Sequence, residues 1–198
     1  MAMNQKLIEK HWDINVHDDW RECTIDDFKE QMHSVGIYVE KVYFSGFWSQ
    51  GDGACFDGEV NDWRLFLKSH GYDVDVLSAH AAASWSFEVE HMGHYYHENS
   101  TSFDYDLPHP DDRYISDESF VQMYYPGNGP DTIAATAWLA ILRNAIASSV
   151  EEEFREVFKD YMRQVYSDLE REYDYLISDE AVWEAIVANE LDTEEEEE

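Results

Sequence analysis

The chain has 198 residues, and 44 acidic against 13 basic side chains give it a formal net charge of -31. An apolar fraction of 44% and an aromatic fraction of 15% rule out a disordered acidic polymer, so one folded domain is expected to carry that charge. Self-repulsion on this scale excludes phosphate backbones and anionic membranes as direct partners and leaves basic proteins or cations.

The N-terminal stretch MAMNQKLIEKHWD holds no apolar core of signal-peptide length, and no run approaches a membrane span. A cytoplasmic protein is expected, with Cys23 and Cys55 as reduced, buried thiols rather than a bridge.

In chain order, residues 4–10 suit a short helix, and the alternation of Trp12, Ile14 and Val16 within His11–Glu22 suits an edge strand or extended arm. Thr24 and Asp27 form a weak capping box for a helix with Ile25, Phe28, Met32 and Val35 at helical spacing, stopped by Gly36. Ile37–Phe44 is apolar on both faces and reads as a central strand. A glycine-rich turn leads to a returning strand over Ala54–Val60, and Asn61 then caps a helix carrying Trp63, Phe66 and Leu67. Residues 75–83 suit another helix.

Ser84–Met92 and His94–Asp106 alternate apolar and acidic residues about Gly93, which predicts a hairpin with one apolar and one acidic face. A proline-containing loop over 107–118 and a short element at 120–125 precede the breaker PGNGP. An apolar helix follows over 131–146, then a longer one from Ser149 to about Leu176, and Ser178 caps a last one. The expected fold is α+β, a small, mainly antiparallel sheet with packed helices and a helical C-terminal third. A single domain spans 1–191, followed by an acidic tail over 192–198.

The charge is patterned. No lysine or arginine occurs between Lys68 and Arg113, whereas Asp73, Asp75, Glu88, Glu90, Asp104, Asp106, Asp111 and Asp112 all fall there. Strand residues two apart share a face at about 6.6 Å. Glu88 with Glu90, and Asp104 with Asp106, should therefore form rows. Glu152, Glu156 and Asp160 stand one helical turn apart, about 6 Å, as a second row. Successive phosphates of a nucleic-acid strand have a comparable step, so such rows offer a basic cleft the charge-assisted contacts that phosphates would. A merely solvating acidic surface is the competing explanation.

His91, His94 and His97 recur every third residue and would suit a transition metal on a helix, but a hairpin at Gly93 does not align them. Asp52, Asp57, Glu59 and Asp62 lack EF-hand spacing and read as turn residues. Neither a G-x-S-x-G elbow nor a phosphate loop is present, so no catalytic residue, metal or cofactor is expected.

Phe44–Phe56, FSGFWSQGDGACF, resembles a segment of uncharacterised phage-encoded acidic proteins, some loosely labelled as antitoxins of toxin–antitoxin systems. The resemblance implies the host cytoplasm as the place of action and no catalytic residue. Residues and resemblance together lead to a non-enzymatic DNA mimic, of anti-restriction or anti-defence type, that inhibits a basic nucleic-acid-binding protein. Its contact residues would be the eight acids of 73–112 named above, with Glu152, Glu156 and Asp160 as a second patch. Two alternatives remain: an antitoxin-like module using apolar anchors such as Trp48 or Trp183, and a histidine-based metal-binding protein. Oligomeric state is open, a homodimer included.

Overall fold

The structure, a computed structural model, describes residues 3–71, 85–107 and 150–191. The expected elements at 75–83, 120–125 and 131–146, and the tail, lie outside the described residues. So do Asp73, Asp75, Asp111 and Asp112.

The fold is α+β. Its elements are α1 (Gln5–Lys10), α2 (Glu22–Ser34), β1 (Ile37–Phe44), β2 (Ala54–Val60), α3 (Trp63–Ser69), β3 (Ser86–His91), β4 (Thr101–Asp106), α4 (Val150–Leu176) and α5 (Asp179–Ala188). The chain falls into two compact units, one of Lys29–Arg163 and one of Met1–Phe28 with Gln164–Glu198.

The first unit is built on an antiparallel sheet in the order β1-β2-β3-β4. Gly36 leads into it at φ 83°, where an added Cβ would lie 2.2 Å from the Asp62 carbonyl, so only glycine fits. Among the described strands β1 lies at the edge, not in the central place its apolar character suggests. Ile37 and Val39 are buried, but Tyr38, Glu40 and Lys41 are exposed, and the register shifts between Val39 and Lys41. Its aromatic end is covered locally, Phe44 by Phe47 at 4.8 Å and Tyr43 by Tyr96 at 5.4 Å between ring centroids. β2, with Ala54, Cys55 and Phe56 buried, takes the central place beside β3.

Alternation in β3 sends Phe87 and Val89 inward. Beneath them, Phe158 of α4 packs 5.1 Å from Phe87 and 5.8 Å from Phe56, and Phe154 packs 5.0 Å from Phe66 of α3. Burying each such ring stabilises the unit by roughly 1.5–3 kcal/mol. Asp62, not Asn61, caps α3, its carboxylate accepting from the Arg64 and Leu65 amides at 3.0 Å. The hairpin forms with Ser86 opposite Asp106 and His91 opposite Thr101. Its connection is wider than a turn at Gly93, running from Met92 to Ser100. Tyr96 and His97 need that length to lie over Gly53, where a Cβ would be 2.6 Å from the Tyr96 carbonyl.

In the other unit α1 and α5 pack through Ile8, Val182, Trp183 and Ile186, with Leu7, Ile14 and Leu191 at the margin. Ser178 caps α5 through the Ala181 amide. Residues 11–21 form turns rather than an edge strand. The amides of Ile14, Val16 and Trp20 bond three residues back, to His11, Asp13 and His17, the pattern of turns and not of a ladder. α2 begins at Glu22, so Thr24 lies within its first turn and does not cap it. No described helix is long and apolar enough to cross a membrane.

Candidate functional site

The side of the sheet away from Phe56 and Phe87 is acidic. Strand pairing places Tyr38 opposite Glu59, Glu59 opposite Glu88, and Glu88 opposite Asp104. One tyrosine and three carboxylates thus line up across all four strands, at the strand spacing of about 4.8 Å. Glu90 opposite Ser102 and Asp106 opposite Ser86 extend the charge above and below this line. Glu59, Glu88, Glu90, Asp104 and Asp106 are all exposed.

A groove of about 210 Å3 runs along this face, lined by Tyr38, Glu40, Asp57, Glu59, Glu88 and Glu90. Gly58 makes part of its floor. A Cβ there would stand 2.4 Å from the Tyr38 carbonyl and 3.3 Å from the Phe56 ring, on the buried side of the sheet, so only glycine lets β1 approach this closely. Among the described residues, none of Glu40, Glu59, Glu88, Glu90, Asp104 and Asp106 forms an ion pair.

Asp57 differs from the other carboxylates of the groove. It accepts from the Tyr43 hydroxyl at 2.7 Å and from the His91 amide at 2.6 Å, tying β1 to the end of β3. Its bond, together with burial, pushes the Tyr43 hydroxyl up to about 12. Burial first, and then the Asp57 charge, pushes the Cys55 thiol up to about 12 as well. Lys41, the cation opposite Asp57, holds its ammonium 4.3 Å from the Tyr43 ring centre.

The expected rows therefore meet different ends. Glu88, Glu90, Asp104 and Asp106 share one exposed face. On α4, Glu152 is exposed, but Glu156 bonds Lys159 at 2.8 Å and Asp160 bonds Arg163. Arg163 also approaches Glu98 at 3.6 Å. The Lys159 hydrogen bond holds the Glu156 carboxyl below its usual range. Two of the three helical acids are thus already neutralised by their own helix.

Glu40, Asp57 and Glu59 complete the groove and were not expected there. The signal was the two-residue step from Asp57 to Glu59 inside Ala54–Val60, a stretch that reads as a strand. The three histidines point to separate neighbours. His91 lies against Tyr43 and Tyr96, His94 against Tyr95, and His97 Nδ1 is 3.0 Å from Glu98. No group of three His, Cys, Asp or Glu among the described residues is placed to hold a metal. Trp183 is 9% exposed and belongs to a core, so it is no surface anchor, whereas Trp48 is 67% exposed.

A family model described as a domain of unknown function, DUF8835, matches residues 20–179. No curated protein and no solved structure gives a match.

Proposed function

The chain belongs to the DUF8835 family, and we propose that its acidic sheet face binds and blocks a basic nucleic-acid-binding protein. The observation behind this reading is the line Glu59–Glu88–Asp104, side by side across three strands with no cation paired to it among the described residues. Like charges directly opposite one another destabilise a sheet, and a fold carries such a line at a cost. A lysine- or arginine-lined cleft repays that cost, because each carboxylate receives a charge-assisted hydrogen bond in the place of a phosphate oxygen. The action is stoichiometric and non-enzymatic, in the cytoplasm of a phage-infected host, of the anti-restriction or anti-defence kind.

Reversing Glu88, Glu90, Asp104 and Asp106 together to lysine should abolish capture of the partner from a bacterial lysate at low salt while circular dichroism stays unchanged. Capture should also be lost at high salt and under competition by DNA. Undiminished capture by the reversed protein would remove the sheet face from the site. The exposure of Trp48 supports a second reading, an antitoxin-like module held through an apolar anchor, and a salt-resistant partner would favour it.

A further inference from the structure

Both hairpins turn at the same end of the sheet. Ser45 meets Gly53 at the close of β1–β2, and His91 meets Thr101 at the close of β3–β4. The two connections touch there: an added Cβ on Gly51 would lie 3.1 Å from the Tyr95 ring. The result is a tip of exposed apolar side chains, Trp48 at 67%, Tyr95 at 59% and Met92 at 56% exposure.

Trp48 is held outward by a costly backbone. Its φ is 66°, a left-handed conformation that only glycine adopts freely. Asp52 locks the turn, its carboxylate accepting from the Ser49 amide at 2.7 Å and its amide donating to the Ser49 carbonyl at 3.1 Å. Trp48 packs on Phe47 at 5.7 Å between ring centroids yet keeps most of its indole in water, and backbone strain of this kind concentrates where a ligand is gripped.

We infer that the tip is the apolar half of the partner contact, fitting a recess that borders the partner's basic surface. This rests on the proposed role of the acidic face and adds a second point of attachment to it. Contacts join the two halves: Tyr43 bonds Asp57 in the groove, its ring packs 4.7 Å from His91, and His91 Nε2 lies 3.3 Å from the Tyr95 carbonyl. Neither connection contains a lysine or arginine; Glu98 is already held by His97 and Arg163, so the charge beside the aromatics is that of Asp52 and of the acidic groove that Tyr43 and Asp57 join to the tip. Charge complementarity therefore selects an occupant that is apolar at the tip and cationic around it. Tryptophan and tyrosine ringed by polar groups are the side chains on which such contacts most often depend.

Two fluorescent peptides test this on the full chain by anisotropy at low salt: eight arginines, and eight arginines extended by Leu-Leu-Phe. The extension should tighten binding about tenfold, and Trp48→Gly should lose that gain while circular dichroism stays unchanged and octa-arginine alone binds as before. No gain, or a gain that survives Trp48→Gly, would overturn the inference. The acidic face is judged separately. Octa-arginine should bind the Glu88, Glu90, Asp104, Asp106 reversal more weakly than a control in which Glu9, Asp18, Asp174 and Glu184 are reversed. Equal binding by those two would sink the acidic-face reading, and with it the joint site.

Discussion

The acids of α4 and those of the outer sheet face repeat at nearly the same interval, yet the helix has answered its charge and the sheet has not. On a helix, residues three and four apart are neighbours, so Lys159 and Arg163 reach Glu156 and Asp160 from the same strip of sequence. On a strand the nearest side chains across the face come from other strands, and there topology decides. Here it sets Glu59 beside Glu88 and Glu88 beside Asp104. A carboxylate count does not separate the two cases. What separates them is whether a base lies within one turn or one rung.

Both rows rest on one apolar support. Phe158 is fully buried among Phe56, Phe66, Phe87 and Phe103. Phe158→Ala should cost about 3–5 kcal/mol in urea denaturation. A loss below about 1 kcal/mol would show that α4 and the sheet do not share this core.

Alkaline titration probes the covered end of the sheet face. Tyr43 and Cys55 are both raised to about 12, from ordinary values of 10.0 and 9.0. Each raised value means that the fold favours the protonated form. That stability is complete below about pH 9 and drains away as pH climbs towards 12. Tyr43→Phe should flatten the part of the decline above pH 10, and an unchanged slope would deny the bond to Asp57.

The smallest effects should carry opposite signs on the two rows. Glu59→Gln with Glu88→Gln removes like charges from facing positions and should raise stability toward the low end of ~0.2–1 kcal/mol, more at low salt. Lys159→Gln should lower it slightly. The Glu156 contribution it removes is present above the ordinary carboxyl value of 4.5 and fades as pH falls below it. Equal signs for the two changes would erase the distinction between the rows.

The acidic hairpin face was legible because Phe87, Val89 and their acidic neighbours alternate within one short run. The returning strand Ala54–Val60 was legible for its bounds but not for its charge. Asp57 and Glu59 join the groove only through pairing with β1 and β3, which no local pattern encodes. β1 misleads for a related reason: Tyr43 and Phe44 look doubly buried, but loop aromatics rather than flanking strands cover them. The neutralisation of Glu156 and Asp160, by contrast, stands openly in the sequence as bases three residues on. The turns of 11–21 hide behind an alternation that their hydrogen bonds do not follow.

Cys55 is 0% exposed, beneath the connection that carries Tyr96 and His97, whereas Cys23 is exposed. The pair makes an internal clock. A thiol reagent added to the native protein should consume Cys23 at once, and Cys55 only as often as that connection lifts, since its thiol is both shielded and protonated. The ratio of the two rates, taken with and without a bound partner, would time the opening of the covered end of the sheet with no label beyond the two sulfurs already present.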